Sequence, residues 1–102
     1  MRKPNTRMIR INDELQRELA NIIRTEVKDP RINKMTSVIK VETTSDLKYC
    51  KAFVSILGND EEKAGVMQGL KNASGFIRHL LAERVNLRNT PEILFKLDDS
   101  VE

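Results

Sequence analysis

The chain has 102 residues, of which 39% are hydrophobic and 32% charged, and its formal net charge is +3. This length and composition are typical of one globular domain that buries its own core, and they exclude a disordered polymer. The single cysteine, Cys50, excludes an intramolecular disulfide, and no run of about 18 apolar residues indicates a membrane span. We therefore expect a cytoplasmic protein that is neither secreted nor embedded in a membrane.

The chain begins with a predicted flexible basic arm, residues 1–8, which contains Arg2, Lys3 and Arg7. Residues 9–102 are predicted to form a single domain. Its first helix is indicated by apolar residues at helical spacing, namely Ile11, Leu15, Leu19, Ile22, Ile23 and Val27. We expect Asn12 or Asp13 to cap this helix, which should end by Asp29 because Pro30 disfavours the helical conformation of the residue before it.

Basic residues form a narrow stripe opposite the apolar face of this helix, namely Arg10, Arg17, Arg24 and Lys28. Residues 1–51 hold 12 Lys and Arg against 7 Asp and Glu, whereas residues 52–102 hold 6 against 8. This excess of positive charge in one half favours a polyanionic partner. Contacts of Lys and Arg with phosphates release counterions, and that release favours binding. We expect the stripe, the arm, Arg31 and Lys34 to form an RNA-binding surface; a solvated helix face without a partner is the alternative.

Two strand candidates follow at residues 37–44 and 48–57, joined by the turn-prone pair Ser45-Asp46, and they predict an antiparallel hairpin. Alternation in the second strand predicts that one set of side chains packs on helices: Cys50, Ala52, Val54 and Ile56. Tyr49 and Phe53 belong to the opposite, less buried set.

After Gly58-Asn59, a helix capped by Asp60 is predicted to reach residues 72–75 and to bend there. A second helix should run from Phe76 to about Leu87, and the alternation of Ile93, Phe95 and Leu97 predicts a last strand. The predicted order is helix, strand, strand, helix, kink, helix, strand. This order indicates a two-layer α+β domain in which helices cover one face of a small mixed sheet.

Small residues at the predicted kink, Ala73-Ser74-Gly75, would let a nucleic-acid backbone approach closely. The amides that open the following helix would present a positive dipole end, with Lys71 and Arg78 adding charge on either side. A packing kink that lets two helices cover one sheet is the alternative. Gly65, Gly69 and Ala73 form a smooth stripe that also suits close packing.

Residues that could support catalysis are few. His79 is the only histidine, which excludes a site with several histidines, and we expect it near the surface. Cys50 is predicted to lie in the core, so a Cys50/His79 dyad is disfavoured. Asp98 and Asp99 could hold a divalent cation, but adjacent side chains of an extended segment point to opposite faces. We expect no enzyme activity, no metal and no cofactor.

Four segments resemble the ribosome-binding factor A family, whose fold is a type II KH domain. They are KDPRI at 28–32, AFVSILG at 52–58, ASGFIR at 73–78, and PEILF at 91–95 followed by DDS at 98–100. In this family an Ala-x-Gly kink replaces the Gly-x-x-Gly loop of other KH domains, and Ala73-Ser74-Gly75 fits that pattern. Relatives usually continue past the last segment, so the resemblance implies a missing C-terminal tail.

The resemblance implies a non-catalytic bacterial assembly factor. Such a factor binds the free 30S ribosomal subunit and its 16S ribosomal RNA, assists late maturation and processing of the 5′ end of that RNA, and supports growth in the cold. A monomer is expected, with ribosomal proteins and a release GTPase as candidate further partners. Two alternatives remain from the residues alone: a protein-interaction module that docks through Tyr49 and Phe53, and a metal-dependent nuclease that uses Asp98 and Asp99.

Overall fold

The structure is a computed structural model, and it describes residues 6–98. Its elements in chain order are α1 Thr6–Thr25, α2 Pro30–Met35, β1 Thr36–Thr43, β2 Tyr49–Ile56, α3 Asp60–Arg84 and β3 Glu92–Leu97. The α+β class, the three-stranded sheet and the helices on one of its faces are as predicted.

Helix α1 begins at Thr6, so the prediction that Asn12 or Asp13 caps it is wrong. Asn12 lies within the helix instead, and its Oδ1 accepts a hydrogen bond of 3.1 Å from the Thr43 amide of β1. The last three residues of the predicted arm, residues 6–8, therefore belong to α1, and Arg2 and Lys3 lie outside the described residues. The apolar face of α1 is buried as its spacing predicts.

The short helix α2 was not predicted from the sequence. Asp29 caps it, since its side chain accepts from the Arg31 amide at 3.0 Å, and Pro30 occupies the first turn, where its missing N–H removes no helical bond. The proline therefore starts α2, whereas α1 has already ended at Thr25. The buried side chain of Ile32 anchors α2 to the core.

The sheet has the strand order β1-β2-β3. Strands β1 and β2 form the predicted antiparallel hairpin, with an irregularity between Val38 and Lys40, and β3 pairs with β2 in parallel. In the connecting turn, Asp46 accepts hydrogen bonds from the Thr44 hydroxyl at 2.7 Å and the Lys48 amide at 3.1 Å. The predicted core side of β2 is confirmed, because all four of its alternate residues are buried.

Helix α3 is continuous over 25 residues, so the predicted division into two helices at residues 72–75 is wrong. Its N-cap is Asn59 rather than Asp60, and Asn59 and Glu62 exchange hydrogen bonds of 2.8 Å in a capping box. A glycine costs a helix only about 1 kcal/mol relative to alanine. The burial of Leu70 and Ile77 on either side of the small residues outweighs that cost.

Helices α1 and α3 are tied together by Arg84, near the end of α3. Its guanidinium lies 3.1 Å from the Glu26 carboxylate and 3.6 Å from that of Glu18. No helix among the described residues is long and apolar enough to cross a membrane.

Candidate nucleic-acid interface

Three arginines of α1 form a line on the surface that faces away from the core. Arg10, Arg17 and Arg24 are seven residues apart, so successive members deviate by only about 20° around the helix and lie about 10 Å apart along it. All three are exposed, and none forms an ion pair with another residue in the described range 6–98. Arg24 has a polar neighbour in the helix, since its Nη2 donates to Asn21 Oδ1 at 2.8 Å. We call these three residues the arginine line.

The other basic residues of the N-terminal half have different surroundings. Arg7 is exposed on α1, and Lys28 is exposed in the segment between α1 and α2. Arg31 is 69% exposed, but its guanidinium contacts the Asp29 carboxylate at 3.2 Å. Hydrogen bonds from Arg31 lower the pKa of Asp29, and those bonds raise the pKa of Arg31 in turn. Much of the charge of Arg31 is therefore balanced locally, whereas Lys34 is exposed in the last turn of α2.

The segment Ala73-Ser74-Gly75 lies inside α3 and not at a helix start, so the prediction of a dipole end at this position is wrong. The Ser74 hydroxyl donates to the Lys71 carbonyl at 2.8 Å, a bond within the helix. A Cβ built on Gly75 would meet no atom within 4 Å. Internal packing therefore does not require glycine at position 75, and this position offers a bare stretch of backbone at the surface.

The smooth stripe on α3 has a packing role. A Cβ on Gly69 would lie 2.7 Å from Ile32 Cδ1, and one on Gly65 would lie 3.7 Å from a guanidinium nitrogen of Arg31. Gly69 therefore lets α2 approach α3 closely, whereas a side chain at position 65 would make only an ordinary contact. Ala73 lies one turn beyond Gly69 and lines a shallow depression together with Lys28 and Asp29.

Lys71 and Arg78 have neighbours different from those of the arginine line. Arg78 donates two hydrogen bonds, of 2.8 and 3.1 Å, to the Thr90 carbonyl, so it holds the chain that leads from α3 to β3. Lys71 lines a groove of about 630 Å³ between α3 and β3. Its other lining residues are Ala64, Met67, Gln68, Ser74 and the β3 residues 92–96. We call it the edge groove.

Two residues of the predicted site, Arg24 and Lys71, lie at opposite edges of the sheet, whereas Lys28 and Ala73 line one depression. Arg24 borders β1, together with Ala20 and Ser37, whereas Lys71 faces β3. Sequence reasoning missed the edge groove, since only the parallel pairing of β3 with β2 places residues 92–96 beside α3.

The residues considered for catalysis differ in burial or lie partly outside the described range. Cys50 is fully buried in β2, whereas the His79 side chain is 71% exposed and lies 3.5 Å from Glu83. Burial raises the pKa of the Cys50 thiol, and the Thr43 hydroxyl partly opposes this effect. No cluster of three potential metal ligands occurs within residues 6–98. Asp99 lies outside that range, so the pair with Asp98 is not described.

The outer face of the sheet carries Tyr49 and Phe53, the residues of the alternative protein-docking surface. Tyr49 is 45% exposed. Phe53 is half-buried, and the Lys40 ammonium lies 4.9 Å from its ring centroid while also contacting Glu42 at 3.5 Å. The lysine therefore already occupies part of the aromatic surface.

This two-layer arrangement, with two antiparallel strands followed by a long helix and a third, parallel strand, defines an α+β domain of KH-like fold. A sequence model of the ribosome-binding factor A family matches residues 7–102. Ribosome-binding factor A of Lachnospira eligens is 57% identical over 102 residues, which are 100% of this chain and 78% of that protein. The chain therefore belongs to the ribosome-binding factor A family.

Solved structures of the family share the fold. The crystal structure of ribosome-binding factor A from Thermus thermophilus matches with a TM-score of 0.78 and 26% identity, over 88% of this chain and 94% of that one. A homology model of Thermus thermophilus ribosome-binding factor A, fitted into a cryo-EM map of a 30S complex of that factor, matches with a TM-score of 0.73 and 26% identity, over 88% of this chain and 93% of that one.

Proposed function

We propose that this protein is an assembly factor that binds the free 30S ribosomal subunit and its 16S ribosomal RNA. In this proposal it acts in the cytoplasm as a monomer, assists late maturation and processing of the 5′ end of the RNA, and supports growth in the cold. Family membership and the 30S complex of the Thermus thermophilus homologue support binding to the subunit.

The observation that carries the RNA-binding proposal is the arginine line on α1. Its three guanidinium groups are exposed and without ion-pair partners in residues 6–98, so their charge is available to an external anion. Arginine binds phosphate oxygens in a bidentate manner, and such contacts position a protein on RNA without reading its bases. The successive spacing of about 10 Å suits phosphates along a folded RNA better than a small ligand. Lys28 and Lys34 would extend the contact beyond α1, with Arg7, Arg2 and Lys3 at its N-terminal end.

Gly75 is proposed as a second, backbone-mediated contact. Nothing in the described protein lies against it, and a ligand backbone can approach a helix closely where no Cβ intervenes. This contact would lie on α3, apart from the arginine line.

The proposed action is to hold one conformation of the maturing RNA, with no bond made or broken by the protein itself. Processing of the 5′ end would then be carried out by a separate nuclease on RNA presented in that conformation. Ribosomal proteins and a release GTPase are the candidate further partners.

The test is co-sedimentation of the purified chain with 30S subunits, 50S subunits and 70S ribosomes, each at low and high salt. Selective association with free 30S subunits that weakens steeply with salt is expected, because phosphate contacts release counterions. Association that does not depend on salt would contradict the RNA-binding role and favour protein docking through the Tyr49 face. Equal association with all three particles would contradict the assembly-factor role.

A further inference from the structure

The sheet has one face that packs on the helices and one face that no helix covers within residues 6–98. On the central strand β2, the side chains of this second face alternate with the four buried residues of the strand. Tyr49 and Lys51 are exposed there, and Phe53 is half-buried. We call these three residues, together with Lys40 of β1, the open sheet face.

The open sheet face alternates aromatic and cationic groups. Lys51 stands between the two rings in the strand, and Tyr49 and Phe53 are about 13 Å apart along it. From β1, the Lys40 ammonium lies 4.9 Å from the centroid of the Phe53 ring. The Lys40 side chain is 56% exposed, so its ammonium can leave the ring for a phosphate when a base stacks there.

The charges around the two rings favour RNA over a protein partner. A protein that covered this face would bury the ammonium of Lys51 at the centre of the contact, and the cores of protein interfaces are depleted of lysine because its desolvation is costly. An RNA strand instead brings phosphates to the ammonium groups and bases to the rings. Strand β2 has no acidic residue, whereas on the flanking strands Glu42 contacts Lys40 at 3.5 Å and Glu92 is the register partner of Tyr49.

We propose that the open sheet face binds single-stranded RNA, with one base stacked on Tyr49, another on Phe53, and a phosphate between them on Lys51. Such stacking tolerates any sequence, because every base has a π-face. The arginine line then contacts the folded part of an RNA, and the open sheet face contacts an unpaired segment. This inference rests on the proposed function only for the identity of the RNA.

Tyr49 is itself a reporter of the contact, because the chain has one tyrosine and no tryptophan. The intrinsic fluorescence of the full chain is titrated with a ten-nucleotide oligouridine, whose bases stack little on one another. We expect quenching of the tyrosine emission that follows the same curve as the anisotropy of a fluorescein-labelled oligouridine. Binding without quenching would place the RNA elsewhere and overturn the proposal, and so would the absence of binding.

Variants at two exposed positions separate the ring from the charge. Tyr49→Leu should weaken oligouridine binding about tenfold, because it removes one stacking surface, whereas Tyr49→Phe keeps a ring and should bind as the wild type does. Lys51→Gln should make the dependence of binding on salt less steep by about 0.7 logarithmic unit, the value for one phosphate of a single strand. Lys51→Arg keeps the charge and should preserve the slope. Circular dichroism checks that each variant is folded.

Equal binding by the Tyr49→Leu and Tyr49→Phe variants, or an unchanged salt dependence in Lys51→Gln, would contradict the proposal. If Tyr49→Leu weakens binding to 30S subunits but not to oligouridine, the open sheet face docks a protein of the subunit instead. The arginine line is intact in all these variants, and its own test is salt-dependent binding to 30S subunits. Either proposal can therefore fail without the other.

Discussion

Gly69 and Gly75 stand six residues apart on α3 and have opposite surroundings. Gly69 lies against Ile32 of α2, whereas Gly75 faces open space. In the sequence the two glycines are equivalent, because each interrupts a helical pattern. The difference decides which of them serves packing and which can serve a ligand.

We expect Gly75→Ala to stabilise the protein by about 0.5–1 kcal/mol, because alanine favours the helix and meets no neighbour. Gly69→Ala gains the same propensity but crowds Ile32, and it should be less stable than the Gly75 variant by about 1–3 kcal/mol. Urea unfolding followed by circular dichroism measures both values. If Gly75→Ala is more stable yet binds 30S subunits more weakly, the close-approach role of position 75 is supported; unchanged binding would contradict it.

Asp29 combines a helix cap with an ion pair, and its pKa is lowered chiefly by hydrogen bonds from Arg31. A lowered pKa means that the stabilising contribution is complete above the ordinary value of 3.8 and is lost as the pH falls through the lower folded value. Asp29→Asn keeps the cap but removes the charge. The wild-type protein should therefore be more stable than this variant at pH 7, and the difference should shrink below pH 3.8 in urea unfolding. A difference that stays constant with pH would count against the ion pair.

At the scale of the element, α1 has three functions on three faces. One face is buried in the core, Asn12 and Gln16 protect the β1 edge, and the arginine line faces outward. A helix that must satisfy all three is strongly constrained in its orientation around its own axis. That orientation makes the arginine line a defined surface.

Charge reversal on this surface is the sharpest test of the proposed function. The double variant Arg17→Glu/Arg24→Glu should bind 30S subunits about tenfold more weakly or worse at low salt. The dependence of binding on salt should also become less steep, by roughly one logarithmic unit for each phosphate that the variant no longer neutralises. The control is Arg88→Glu, which reverses the charge of an exposed residue in the segment between α3 and β3. Equally weakened binding in the control and the double variant would indicate a general charge effect and remove the arginine line from the binding surface.

At the scale of the whole molecule, Cys50 reports on global unfolding. It is fully buried in the central strand, and burial raises the pKa of its thiol. We expect the native protein to react with a thiol reagent only through unfolding. The labelling rate at pH 8 should therefore rise with urea in parallel with the loss of the helical circular-dichroism signal. Immediate, complete labelling of the native protein would show instead that β2 opens locally.

Much of the fold could be predicted from the sequence. Hydrophobic periodicity identified the buried face of α1 and the core side of β2, because burial of apolar area dominates the placement of such residues. Local signals were less reliable where packing opposed them. The small residues at 73–75 predicted a boundary between two helices, but α3 runs through them with Leu70 and Ile77 buried on either side. Helix α2 is too short to show a periodic pattern.

The sequence by itself determined the α+β class, the antiparallel hairpin and the outward position of the arginines on α1, since each depends on residue spacing within one element. Only the tertiary structure decided which basic residues share a surface. Arg78 is bound to Thr90, Arg31 to Asp29, and Lys71 lies at the opposite edge of the sheet from Arg24. The edge groove also depends on the tertiary structure, because it forms only where β3 pairs in parallel beside α3. Elements that are far apart in the sequence leave no pattern of residue spacing that shows how they contact each other. Those contacts are decided by how the elements pack in the folded protein.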